Sequence, residues 1–73
     1  MKFNKKQFRS NLLRIHGESG MLYKEAAANA GIHVNTYQGW ASGKQMPTSE
    51  GLYRLSIAYG VPMEKFMEGC LDG

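Results

Sequence analysis

Two glycines, Gly31 and Gly43, punctuate the middle of this chain, and the segment they divide constrains the fold more than any other feature. Residues Leu22 to Lys44 read LYKEAAANAGIHVNTYQGWASGK. The part from Leu22 to Ala30 is rich in alanine and holds neither glycine nor proline, so its propensity favours helix. Gly31 suits the left-handed conformation that ends a helix, which predicts a sharp turn. A second short helix is expected from Val34 to Ser42, with Tyr37 and Trp40 three residues apart on one face. That face should point inward. At about 100° per residue the opposite face carries Asn35, Gln38, Gly39 and Ser42, with Val34 at its edge. It offers amides, a hydroxyl and bare backbone, and no carboxylate. Amides can pair with the major-groove edge of adenine, and a carboxylate there would repel phosphates.

The remainder reads as packing for this unit. In the first helix Phe8, Leu12 and Ile15 fall at i, i+4 and i+7, Leu13 widens the stripe, and Lys5, Lys6, Arg9 and Arg14 occupy other faces. Asn4 is a candidate N-cap, and Gly17 and Gly20 bracket a turn. Pro47 closes the loop after Gly43, and Thr48 or Ser49 caps a fourth helix with Glu50 in its first turn. Leu52, Leu55, Ser56 and Tyr59 form its inward stripe, and Gly60 stops it. Val61 and Pro62 open a last short helix in which Met63, Phe66 and Met67 are the apolar positions. The expectation is an all-α, compact five-helix bundle with helices at about 4–16, 22–30, 34–42, 49–59 and 62–68, a single domain over residues 1–73.

At this length one core is all that can be buried, and its stability is marginal. Cys70 is the one cysteine, so no intrachain disulfide is available, and no Cys and His pattern has zinc-finger spacing. The tail after Gly69 is expected to be loose, with Cys70 a bystander. The basic start MKFNKKQF has no long apolar run behind it, so it reads as neither a secretory signal nor a membrane span, and a cytoplasmic location is expected.

The net charge of +3 is modest, but its distribution is uneven. Residues 1–46 hold seven bases (Lys2, Lys5, Lys6, Arg9, Arg14, Lys24, Lys44) against Glu18 and Glu25, a balance of +5. Residues 47–73 hold Arg54 and Lys65 against Glu50, Glu64, Glu68 and Asp72, a balance of −2. Ordinary surface charge would account for this, but the basic excess coincides with the helices that carry the amide face.

Ala26, Ala27, Ala30, Gly31, Ile32, Tyr37 and Trp40, with Gly43, Lys44 and Pro47 after them, resemble the helix-turn-helix domain of the phage-repressor and Cro type, the xenobiotic-response-element family. The resemblance covers roughly Phe8 to Met67 and implies a lambda-repressor-like DNA-binding domain. It implies that the first helix of the pair crosses the DNA backbone while the second lies in the major groove. The chain departs from the family at several positions. Leu22 and Tyr23 stand where a Ser or Thr cap and a phosphate-contacting Gln are usual, so Tyr23 either places its hydroxyl on the backbone or packs against the first helix. Lys24 is the safer phosphate candidate, at a helix N-terminus that itself favours an anion. Glu25 reads as a solvated first-turn acid, and Met21 as a core residue. Ala26 replaces a larger Leu, and the rings of Tyr37 and Trp40 are expected to fill that volume. His33 replaces the usual Ser or Thr cap: it caps poorly, or Asn35 caps a later start. Gly39 costs the recognition helix about 1 kcal/mol relative to Ala, so either the backbone approaches DNA closely there or the helix frays after Gln38.

By the same resemblance the loop after Gly43 runs along the sugar-phosphate backbone, making Lys44, Gln45 and the amides near Thr48 contact candidates. Base-reading candidates are His33, Val34, Asn35, Gln38 and Gly39, and phosphate candidates are Tyr23, Lys24, Lys44, Gln45 and Thr48. The expected partner is double-stranded DNA, read by a transcriptional regulator, a repressor that occupies a short operator. The methionines of the last helix either close the core or serve a weak homodimer. No metal, cofactor, small-molecule ligand or membrane is called for. Enzymatic chemistry is disfavoured, because no set of nucleophile, base and orienting group stands out. The competing reading keeps the fold but uses it to grip another protein, as an antitoxin or anti-repressor does. Its basis is the absence of Arg and Lys between His33 and Gly43.

Overall fold

The computed structural model describes residues 4–70, which form five α-helices: α1 (Lys5–Ser19), α2 (Tyr23–Ala30), α3 (Val34–Ala41), α4 (Ser49–Tyr59) and α5 (Met63–Met67). Lys2 and Asp72, which entered the charge balance, and the tail beyond Cys70 lie outside the described residues. The all-helical bundle is the expected architecture, with α1 packed against α3, α4 and α5, and α2 against α3 and α4.

α1 begins where expected, with Asn4 Oδ1 accepting the Gln7 N–H at 3.0 Å. It ends three residues later than the sequence suggested: it passes through Gly17 and stops at Gly20, which takes the left-handed conformation (φ 73°). Gly17 is therefore a helical residue rather than the edge of a turn. Ser19 shapes the exit, its Oγ donating to the His16 carbonyl at 2.6 Å and accepting the Met21 N–H at 3.1 Å.

α2 starts without a side-chain acceptor at its cap, Leu22. Glu25 supplies the other half of a capping box, its carboxylate accepting the Leu22 N–H at 3.0 Å, so this acid anchors the helix start rather than being merely solvated. Met21 does not enter the core as expected; it is half-buried, with the Asn29 Nδ2 donating to its sulfur at 3.2 Å.

Phe8, Leu12 and Ile15 of α1, Ala26 and Ala27 of α2, Tyr37 and Trp40 of α3, Leu55 of α4 and Phe66 of α5 form one buried cluster. Each large apolar side chain taken from water here contributes about 1.5–3 kcal/mol. Of the expected α4 stripe only Leu55 is fully enclosed, while Leu52, Ser56 and Tyr59 are half-buried. Part of the space for Trp40 comes from Gly51: a Cβ built there would lie 2.9 Å from the indole Cη2 and 3.0 Å from Pro47 Cβ.

The end of the described chain corrects another expectation. Cys70 is fully buried, and its carbonyl accepts the Asn4 N–H at 2.6 Å, closing the two ends on each other. Burial also raises the pKa of its thiol. The organiser is Asn11, a buried polar residue of α1 that the apolar stripe did not flag. Its Nδ2 donates to the carbonyls of Phe66 (2.9 Å) and Glu68 (2.8 Å), and its Oδ1 accepts from Gln7 Nε2 at 2.9 Å. A short helix such as α5 has little stability of its own, and these bonds tie its C-terminal carbonyls to α1.

Candidate nucleic-acid interface

The angle between α2 and α3 is set by a Schellman turn: the Gly31 N–H bonds to the Ala28 carbonyl at 3.1 Å and the Ile32 N–H to the Ala27 carbonyl at 3.0 Å. Gly31 is left-handed (φ 70°), and a Cβ there would also lie 2.8 Å from Arg54 Nη1. Arg54 approaches the Ala30 carbonyl at 3.4 Å and is itself held by Glu50 at 3.0 Å. His33 then caps α3, its Nδ1 accepting the Asn35 N–H at 3.1 Å. Thus α3 starts at Val34, and Asn35 does not serve as a late cap.

α3 is oriented as its periodicity demands. Tyr37 and Trp40 are buried, while Asn35, Thr36, Gln38 and Ser42 are exposed. His33 is exposed, Gly39 intermediate, and Val34 half-buried against the core. Two shallow grooves flank the exposed face. One, of about 380 Å³, is lined by Asn35, Gln38, Gly39, Ser42, Lys44 and Gln45. The other, of about 310 Å³, is lined by Arg9, Leu13, Tyr23, Gln38, Ala41 and Ser42. Gln38 and Ser42 border both, so they form the ridge between them.

The ridge has a local cause at Gly39. Its carbonyl accepts the N–H groups of Lys44 (3.0 Å) and Gln45 (3.2 Å), which folds the chain back beside the helix. A Cβ on Gly39 would sit 3.1 Å from Gln45 Oε1, so the missing side chain makes room for the Gln45 amide. The helix does not fray after Gln38; it continues to Ala41. Further on, Thr48 Oγ1 accepts the Gly51 N–H at 3.2 Å, which assigns the α4 cap to Thr48.

Behind the ridge lies an aromatic and hydroxyl network that joins four helices. Tyr23 stacks on His16, with ring centroids 4.5 Å apart and planes at 21°. The packing alternative therefore describes the Tyr23 ring, while the residue still borders the groove beside Gln38. Tyr59 Oη and His16 Nδ1 share a hydrogen bond at 2.8 Å, and Tyr37 Oη is hydrogen-bonded to Tyr59 Oη. Burial lowers the His16 pKa, which favours the neutral ring. Burial raises the pKa of Tyr37 and of Tyr59, so both hydroxyls keep their protons.

A family model described as helix-turn-helix matches residues 12–66, the span from the middle of α1 into α5. The chain belongs to the XRE/Cro/C1-type helix-turn-helix family. No curated protein and no solved structure gives a significant match. Members of this helix-turn-helix family are, in general, DNA-binding regulators and typically not enzymes. Among the described residues no helix is long and apolar enough to cross a membrane.

In this helix-turn-helix unit the structure brings Asn35, Gln38 and Gly39 together with Lys44 and Gln45 along one groove. Tyr23 borders the other groove, and Lys24 and Thr48 are exposed beside their helix starts. Sequence reasoning did not place Arg9, which reaches α3 from α1: its Nε donates to the Ala41 carbonyl at 3.0 Å. No local pattern signals a bond between residues 32 positions apart. Thr36 is exposed as well, and periodicity did not signal it, because it lies four residues before the buried Trp40 and so on the same side of the helical wheel.

Proposed function

We propose that the protein is a sequence-specific, double-stranded DNA-binding transcriptional regulator, a repressor that acts by occupying a short operator and performs no chemistry of its own. The observation that carries this reading is the exposed amide and hydroxyl ridge of α3, bordered by Lys44 and Gln45 on one side and by Arg9 and Tyr23 on the other. Asn35 and Gln38, with Val34, Gly39 and the outward Nε2 of His33, read base edges in the major groove. Tyr23, Lys24, Lys44, Gln45 and the start of α4 at Thr48 hold phosphates and so set the register. Two copies on half-sites about 34 Å apart would complete the operator, paired weakly through α5, where Met63 and Met67 are only half-buried. A cytoplasmic location follows from this role.

Selection of bound sequences from a random duplex pool tests the reading. Enrichment of a short motif with half-site symmetry is expected, and a pool that stays random at low salt would remove sequence-specific binding.

The second reading is a protein-gripping module. It is favoured by Tyr53 and Ile57, which are 58% and 59% exposed on α4 and line an open groove of about 410 Å³ with the end of α2. A salt titration separates the two. Phosphate contacts release counterions and weaken steeply as salt rises, whereas an apolar protein contact does not.

A further inference from the structure

Lys5, Lys6, Arg9 and Ser10 of α1, with Ser42 and Gly43 just past α3, line an open cleft of about 490 Å³. Three of these six residues are cationic, two carry hydroxyls, and none is acidic. Among the described residues the ion pairs are Arg54 with Glu50 and Lys65 with Glu68, and neither involves α1. The cleft is built around Arg9. Its methylene chain lies over Gly43, where a Cβ would sit 3.3 Å from Arg9 Cδ, and its Nε is bound to the Ala41 carbonyl at the end of α3. The guanidinium is thus held in place by its inner nitrogen, and the two outer nitrogens of the fork keep the geometry that suits a phosphate. Arg9 and Ser42 also border the groove beside Gln38, so the cleft is continuous with the exposed face of α3.

We infer that this cleft is a second phosphate clamp, which takes a phosphodiester of the bound duplex through Lys5, Lys6 and Arg9, on the side of the α3 ridge away from Gly39 and Gln45. The inference rests on the DNA-binding reading. It adds phosphate contacts by Lys5, Lys6 and Arg9 of α1, which that reading did not assign to a phosphate. Because Arg9 is bonded to the last carbonyl of α3, a phosphate seated here also fixes the rotation of the recognition helix against the groove. The ligand chemistry is a phosphodiester monoanion. Its source is the DNA strand, because the cleft opens onto the same surface as the amide ridge.

The test compares two double variants of the full chain, each removing two positive charges. Lys5→Gln with Lys6→Gln alters two exposed residues of the cleft, and Arg14→Gln with Lys65→Gln alters a separate surface beside Tyr59. Binding to a random duplex is measured over a range of salt, and the phosphates whose ethylation blocks binding are mapped on a duplex carrying the selected operator. Loss of two phosphate contacts should make the slope of log affinity against log salt shallower by about 1.8, and should lower affinity on the order of tenfold or more at 0.1 M salt. The Lys5 and Lys6 variant should show both effects and lose sensitivity to ethylation at one or two phosphates, while the control pair keeps the wild-type slope within about 0.5. A wild-type protein that binds duplex, with both variants shifted equally and the ethylation pattern unchanged, overturns the clamp and leaves the DNA reading standing. A wild-type protein with no salt-dependent duplex binding overturns both.

Discussion

Gln38 stands where the two grooves beside α3 meet, so its amide reaches outward without any movement of the backbone. A side chain that reads a base edge matters only on the right sequence. Gln38→Ala should therefore weaken binding to the preferred operator by about 1–3 kcal/mol and leave random duplex nearly unaffected. Competition binding with both duplexes measures this, and equal losses would make Gln38 a backbone contact instead. Its neighbour Gly39 is governed by a different balance. Alanine there gains about 1 kcal/mol of helix propensity, and the new Cβ meets only the far end of the Gln45 side chain, 3.1 Å away. Gln45 can swing aside at small cost. Gly39→Ala should raise the thermal midpoint yet weaken operator binding, because Gln45 is displaced and the ridge carries an added methyl. A lowered midpoint would mean that Gln45 packing holds the loop more firmly than helix propensity can offset.

At the scale of the elements, the same substitution in α4 should have the opposite sign. A Cβ on Gly51 would lie 2.9 Å from the Trp40 ring and 3.0 Å from Pro47, one locked in the core and the other a ring in the backbone. Neither neighbour can yield as Gln45 does. The cost of overpacking, about 1–3 kcal/mol, should exceed the propensity gain of about 1 kcal/mol, so Gly51→Ala is expected to destabilise the fold by on the order of 1 kcal/mol. Denaturant titration with an unchanged slope and a lower midpoint would show it, and a stabilised variant would mean that the α3–α4 contact yields to an added methyl. The inward phase of Tyr37 and Trp40 was legible because helical periodicity is a local property of the chain. The notch at Gly51 was not, since it depends on a ring eleven residues away in another helix. Gly17 looked like a turn residue by type, yet the end of α1 is decided by the Ser19 bonds and the left-handed Gly20. Asn11 did leave a trace, a polar side chain three residues after Phe8 and four before Ile15 on the buried face. Its partners at the far end of the chain left none, which is why Cys70 looked peripheral. In the candidate site the α3 face could be read from a helical wheel, whereas Arg9 depends on how α1 is laid across the end of α3.

Across the whole molecule, one titratable group joins the framework to the recognition unit. His16 of α1 touches Tyr23 of α2 through its ring, lies within 5.9 Å of the Tyr37 ring of α3, and shares a hydrogen bond with the Tyr59 hydroxyl of α4. Its folded pKa is lowered from the ordinary 6.5 by burial, so below that pH the unfolded chain takes up more protons than the folded one. Stability tied to neutral His16 is therefore full above about pH 6.5 and declines as the pH falls from there through the lowered folded value. Protonation makes both ring nitrogens donors, so the hydroxyls of Tyr37 and Tyr59 around Nδ1 must accommodate a buried positive charge. The thermal midpoint should fall between pH 7.5 and 5.5, before the surface carboxylates begin to neutralise. His16→Gln keeps an acceptor within reach and cannot titrate, so its midpoint should be flatter over the same window. If wild type and variant share one slope, or if acidification raises the midpoint, then the four-helix junction does not depend on a neutral imidazole.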